Sequence, residues 1–108
     1  MCMKKVRAAD MTPGEIQGTR GTVEVYDIIQ GDLTAGVRIV KADSDVPTRP
    51  HNHSEKQVIY VISGTGEISN GTKTFDLIPD DFILLESNEE HYVMTKNDDL
   101  KIFEVKYP

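Results

Sequence analysis

The chain has 108 residues, enough for one domain with a single modest core and too few for two. Acidic residues outnumber basic ones by 18 to 12, and the net charge of −6 repels phosphate backbones and anionic membrane surfaces. We therefore expect no nucleic-acid and no membrane partner. Cys2 is the only cysteine, so it forms no internal disulfide and we assign it no role. No apolar stretch follows the basic residues near the amino terminus, so we expect no signal peptide and a cytoplasmic location.

Turn-forming residues interrupt short apolar runs about every eight to twelve residues, which predicts an all-β domain. The first twenty residues read as a lead-in segment or a strand exchanged with a second copy, and residues 21–108 as one barrel. The pair Asn70–Gly71 gives the strongest signal for a two-residue hairpin. Strands are predicted, in chain order, at 22–29, 35–41, 46–53, 57–62, 65–69, 73–78, 82–85, 91–95 and 100–105.

The run 58–62 is apolar at every position, unlike a strand with one face in water. One parity, with Ile59 and Val61, can fill the barrel, so Val58, Tyr60 and Ile62 need another cover. A second subunit is the simplest one and predicts a homodimer. The alternative is that the amino-terminal segment folds back over this face.

Two of the three histidines lie two residues apart, and on a strand their imidazoles would share one face. Gln57 begins the next strand with the inward parity and adds an amide oxygen. A metal needs three or more ligands at about 2.0–2.2 Å, and His91 is the remaining histidine. The sequence therefore predicts a metal site made by His51, His53, Gln57 and His91.

The spacing around these residues resembles that of the cupin family. Its first motif is a glycine, five residues, His-x-His, three or four residues, Glu, six residues and Gly. His-Asn-His at 51–53, Gln57 and Gly64 match that spacing, but Asp45 replaces the leading glycine and Gln57 the glutamate.

The second motif is glycine, five residues, Pro-x-Gly, two residues, His, three residues and Asn. Only His91 is kept; its other positions hold Asp80, Glu86, Asn88 and Thr95. The resemblance covers about residues 35 to 107 and implies a double-stranded β-helix, the jelly-roll barrel, with a metal in its mouth.

The resemblance implies the same four ligands: His51, His53, Gln57 and His91. Because an amide replaces a carboxylate, the protein ligands leave the ion at +2, which favours hydroxide or an anionic substrate in the open positions. The nitrogen-rich set suits Zn, Ni, Cu or Fe, whereas Mn prefers more oxygen. The ion is expected to be one divalent transition metal among Zn, Ni, Fe, Cu and Mn.

Two alternatives for the fourth ligand stay open. The three histidines bind the metal alone and Gln57 is structural, or Glu55 supplies a carboxylate, although its spacing places it in a turn. For substrate contacts we predict an apolar floor and one cation that meets an anion, namely Ile59, Val61, Val93 and Arg49.

We expect a metal-dependent enzyme of oxygenase, isomerase or lyase type that acts on a small organic molecule. The alternative is a non-catalytic module that binds or senses a small ligand. The fold does not decide between them, and the sequence offers no unambiguous catalytic acid or base.

Overall fold

The computed structural model describes residues 3–108, so Cys2 lies outside the described residues. Within this range the chain forms two antiparallel sheets and one short 3-10 helix, Ala8–Asp10. No helix of residues 3–108 is long and apolar enough to cross a bilayer. The strands are β1 Gly14–Gln17, β2 Thr22–Gln30, β3 Thr34–Val40, β4 Asp45–Val46, β5 Lys56–Ser63, β6 Gly66–Ser69, β7 Thr74–Leu77, β8 Phe82–Leu85, β9 Tyr92–Met94 and β10 Leu100–Tyr107.

The two sheets form the all-β jelly-roll barrel that the sequence predicted. One sheet has six strands in the order β1-β2-β3-β10-β5-β8, and the other has four in the order β4-β9-β6-β7. Every pairing is antiparallel. Alternate residues of both sheets point into a shared apolar core, made by Val23, Val40, Val46, Ile59, Val61, Ile68, Leu77, Leu85, Val93, Leu100 and Ile102.

Eight of the nine predicted strands are present, with ends shifted by no more than two residues. The strand predicted at 46–53 is wrong: only Asp45–Val46 pairs, and residues 47–55 are irregular. The physical reason is that Pro47 and Pro50 lack the N–H that a ladder requires and fix their own φ. The two histidines at 51 and 53 therefore lie in a loop.

The amino-terminal segment, for which no strand bounds were predicted, contains strand β1. Residues Gly14–Gln17 pair with Thr22–Val25 of the same chain, and Ile16 faces the barrel interior. Exchange of this strand with a second copy stays a prediction.

The hairpin between β6 and β7 is present, but its connection is longer than two residues. Residues 70–73 form the loop, and only Gly71 among them has positive φ (+91°). The Asn70 side chain accepts hydrogen bonds from the backbone N–H groups of Thr72 and Lys73 at 2.9 and 2.7 Å. Asn70 thus closes the loop with its side chain and needs no left-handed backbone.

One row of side chains crosses the outer face of the six-stranded sheet. The register aligns Tyr26, Val37, Phe103, Tyr60 and Phe82 on adjacent strands. Phe103 is 37% exposed and Phe82 is 68% exposed. The apolar outer face that the run 58–62 indicated on β5 therefore extends across the six-stranded sheet.

Candidate metal centre

Two loops bring the three histidines together at one end of the barrel. His51 and His53 lie between β4 and β5, and His91 directly precedes β9. The loops are joined by backbone hydrogen bonds, from His91 N to His51 O (3.3 Å) and from Asn88 N to His53 O (2.8 Å). The ring centroids lie 4.8 to 5.7 Å apart, and one nitrogen from each ring lies within 4.8 Å of the others.

Backbone carbonyls set the orientation of two of the rings. His53 Nδ1 lies 2.9 Å from the carbonyl oxygen of Glu55, and His91 Nδ1 lies 2.9 Å from that of Glu89. Each Nδ1 therefore carries the proton and donates it, because a carbonyl can only accept. Nε2 of each neutral ring is left as the free lone pair, which is the form that binds a metal.

Gln57 contacts the histidine group through its amide oxygen. Gln57 Nε2 donates to the carboxylate of Glu104, so Oε1 faces His53 Nε2 at 3.1 Å. When His53 donates from Nδ1 and its Nε2 carries no proton, as a metal ligand requires, Nε2 and this oxygen are two acceptors that repel each other. A cation between them removes that conflict, so the donor set fits a metal ion.

Burial keeps the imidazoles neutral. Desolvation, followed by the neighbouring His91 and His53, lowers the pKa of His51 from 6.5 to about 4. Desolvation is also the main cause that lowers the pKa of His91. Both rings are therefore unprotonated and available as ligands at neutral pH.

A cavity of about 160 Å³ lies beneath the histidines, inside the barrel. At ~30 Å³ per water it holds about five waters, which suits a small ligand. Its polar lining is Arg38, His51, Gln57, His91, Glu104 and Lys106, and its apolar lining is Ile16, Val23, Val40, Val46, Pro47, Ile59, Val93 and Ile102.

The predicted substrate contacts divide into two groups. Ile59 and Val93 line the cavity. Val61 is fully buried in the core and is not part of the lining, and Arg49 pairs with Asp45 and lies 3.6 Å above the Tyr92 ring. A contact of Val61 or Arg49 with a molecule in the cavity is therefore not supported by the structure.

Glu55 does not join the histidine nitrogens. Its carboxylate lies 3.8 Å from His53 Nδ1, on the side of the ring that faces the Glu55 carbonyl, and its side chain is 44% exposed. The group of residues that can hold a metal contains only the three histidines among the His, Cys, Asp and Glu side chains of residues 3–108.

Three charged residues in the cavity wall were missed from the sequence: Arg38, Glu104 and Lys106. Arg38 bonds to Asp27 at 2.6 Å and to Glu104 at 2.7 Å. The signal was strand parity, because Glu104 shares its side of β10 with buried Leu100 and Ile102. A charged residue on the inward-facing side of a strand indicates a buried polar network. Such a residue is as strong a candidate for a site as a histidine pair.

The chain belongs to the cupin family. The family described as Cupin domain matches residues 37–106, and this confirms the resemblance drawn from the two motifs. No curated protein matches the sequence significantly.

Solved structures with the same fold cover nearly the whole chain. A predicted oxalate decarboxylase from Thermotoga maritima has a TM-score of 0.83 at 22% identity, over 96% of this chain and 98% of its own. The polyketide cyclase RemF from Streptomyces resistomycificus has 0.78 at 21%, over 97% and 79%. The EutQ protein of Clostridium difficile has 0.73 at 17%, over 97% and 81%. At these identities the likeness extends to the fold alone.

Proposed function

We propose that this cupin holds one divalent transition metal through His51, His53, His91 and Gln57. The observation that carries the proposal is the pair of acceptors, His53 Nε2 and Gln57 Oε1, which face each other at 3.1 Å beside two more neutral imidazoles. Zn, Ni, Fe, Cu and Mn all accept such a set of nitrogen and amide ligands.

We propose further that the bound metal makes the chain an enzyme for a small organic substrate, of oxygenase, isomerase or lyase type. When bound, the ion supplies Lewis-acid or oxygen chemistry at the mouth of the cavity. The apolar wall made by Ile59, Val93 and their neighbours excludes water from a molecule that enters. The cavity of about 160 Å³ is open to solvent and suits a small organic molecule.

Charge in the cavity favours an anionic substrate. Arg38 and Lys106 contribute two positive charges and Glu104 and Asp27 two negative ones, so these side chains sum to zero and a bound metal would make the site positive. Both acidic partners of Arg38 neutralise it, whereas no carboxylate of residues 3–108 lies within 4.0 Å of the Lys106 ammonium. Lys106 is therefore the cation that can meet a carboxylate or an enolate.

One feature favours the second candidate, a non-catalytic ligand-binding module. The only carboxylate in the cavity lining, Glu104, already accepts bonds from Arg38 and Gln57 on its two oxygens. It therefore has little capacity to move a proton to or from a substrate. Saturable binding of small carboxylates without turnover, in metal-loaded protein, would decide for this module.

We also propose a homodimer that covers the outer face of the six-stranded sheet. The row that contains Tyr60 and Phe103 is apolar, and Phe82 at its end is mostly exposed. Phe103→Glu would place a charge in this interface and yield monomers in sedimentation velocity. Lys73→Glu, an exposed change in the loop between β6 and β7 of the other sheet, is the control. A wild-type chain that sediments as a monomer at micromolar concentration contradicts the proposal.

The metal site is tested first by the metal content per chain, measured by plasma mass spectrometry on tag-free protein. We expect about one equivalent in the wild type and a large, similar loss in His53→Ala and His91→Ala, because each variant removes one imidazole and leaves two histidines with an amide oxygen, a weaker donor set. Asn52→Ala, an exposed change between the two loop histidines, is the control and should keep full occupancy. Full occupancy in His91→Ala would refute the site.

A further inference from the structure

The site residue that departs from the cupin motif is hydrogen-bonded to a carboxylate on another strand. Gln57 stands where the first motif has glutamate, and its amide N–H₂ donates to Oε2 of Glu104 on β10. The two residues are 47 positions apart in the chain, and both are nearly fully buried, at 4% and 6% exposure. A buried carboxylate persists only where its oxygens are bonded, so this contact is part of a built network.

The carboxylate of Glu104 is itself held in place. Its other oxygen accepts a bond from Arg38 Nε at 2.7 Å, and Arg38 Nη1 bonds to Asp27 at 2.6 Å. Gly36 lies between Asp27 and Glu104 in the sheet register, and a Cβ there would lie 2.7 Å from the Asp27 carboxylate. The missing side chain of Gly36 therefore leaves room for the network.

We infer that Glu104 is a positioning residue that fixes which end of the Gln57 amide faces the metal. Since Glu104 can only accept, it takes the N–H₂ end and leaves Oε1 toward the imidazoles. The opposite orientation would present N–H₂ to the ion, which cannot coordinate it. Gln57 thus has a carboxylate beside it, on β10, instead of carrying one itself. This inference rests on the proposed metal site.

The inference predicts that the amide and the carboxylate can exchange places. In Glu104→Gln, the new amide offers its N–H₂ to Gln57, so Gln57 turns over and the Kd for Co²⁺ rises 10- to 100-fold. In Gln57→Glu alone, two buried carboxylates face each other and the urea midpoint falls. In the double exchange, Gln57→Glu with Glu104→Gln, one donor again meets one acceptor, so both the Kd and the urea midpoint recover.

The experiment measures Kd from the visible absorption bands of Co²⁺ and the urea midpoint of metal-free protein for the wild type and these three variants. Asp27→Asn is the matched control, because Asp27 contacts Arg38 but not Gln57. It should lower the urea midpoint and leave the shape of the Co²⁺ spectrum unchanged. A role of Glu104 in stability alone predicts that Glu104→Gln lowers the urea midpoint but keeps the wild-type Kd for Co²⁺.

The two proposals fail in different ways. A wild type that binds no Co²⁺, with a double exchange that still recovers the urea midpoint, would refute the metal site and support the amide orientation. Failure of the double exchange to recover the midpoint would overturn the orientation, whether or not Co²⁺ binds. As a check on wild-type protein, one Gln57 side-chain amide proton should resonate downfield, as expected of a bond to a carboxylate; an ordinary shift would also overturn it.

Discussion

The glycine that ends the first motif, Gly64, should be required by the fold and not by the site. It connects β5 to β6 with φ of +83°, and a Cβ there would overlap the carbonyl oxygen of Asp99 and lie 3.1 Å from Leu100 Cα. Gly71 offers a matched control, since its φ is +91° but nothing lies within 4 Å of an added Cβ. The pair separates backbone conformation from steric overlap.

The two substitutions by alanine should differ about twofold in cost. A left-handed residue with a Cβ costs about 1–2 kcal/mol, and Gly71→Ala should lose that amount. Gly64→Ala pays the same cost and also displaces the backbone at Asp99 and Leu100, the latter fully buried. Forcing an extra carbon into a packed region adds about 1–3 kcal/mol, so the total is about 2–5 kcal/mol.

Urea unfolding of the metal-free variants, followed by circular dichroism, measures this difference. We expect the midpoint of Gly64→Ala to fall about twice as far as that of Gly71→Ala, with equal slopes. Metal occupancy of the folded Gly64→Ala protein should stay near that of the wild type, because Gly64 lines neither the cavity nor the histidine group. Equal losses in the two variants would refute the steric reasoning.

Three further predictions concern the metal ion, the Asp99 carboxylate that bonds to Lys41 and Ala42, and Asn88, which has a left-handed backbone conformation. A chelator should lower the free energy of unfolding by about 2.7 kcal/mol if the ion was present at 100 times its Kd. The β-structure seen in circular dichroism should remain. Loss of the β signal would mean that the ion is needed for folding. The pKa of Asp99 is lowered first by the backbone N–H of Ala42 and then by Lys41, so its stabilisation is present above pH 3.8 and disappears as the pH falls through the lower, folded pKa. Asp99→Asn should therefore be less stable than the wild type in urea at pH 7, and the difference should shrink as the pH is lowered below 3.8; a constant difference would contradict this. Asn88, with φ of +62°, should accept glycine at no cost and lose about 1–2 kcal/mol as alanine, which thermal unfolding can measure; equal Tm values for the two variants would count against it.

Alternation of apolar residues was sufficient to predict the all-β strands, because strand periodicity depends on local sequence, whereas the jelly-roll barrel was implied by the resemblance to the cupin family. It failed at residues 47–55, where an apparent polar strand is a loop shaped by Pro47 and Pro50. Pairing across the sheet was also beyond the sequence: nothing local indicates that Glu104 on β10 lies beside Ile59 of β5.

The site was predicted in part for the right reason and in part for a wrong one. Spacing in the motif placed His51, His53 and His91 in one group, and the structure does bring them together. The two loop histidines do not converge through strand parity, however, but through backbone bonds between their loop and residues 88 and 91. Glu104 was missed because its role depends on Gln57, a residue 47 positions away.

The second motif is better preserved in backbone conformation than in residue identity. Asp80 and Asn88 replace its two glycines, and both have positive φ, +78° and +62°. Aspartate and asparagine adopt this conformation more readily than other residues with a Cβ, so the turns survive the loss of glycine.

The remaining substitutions in that motif make contacts of their own. Thr95, in place of asparagine, is buried; its hydroxyl donates to the Lys41 carbonyl at 2.6 Å and accepts from Ser44 N at 3.0 Å. Glu86, in place of proline, uses the N–H that proline lacks to bond the Glu89 carboxylate at 3.0 Å. His91 is the one motif position whose side chain faces the cavity, and no turn or loop bond can replace an imidazole there. The proposed metal site therefore depends on His91 more than on any other position of this motif.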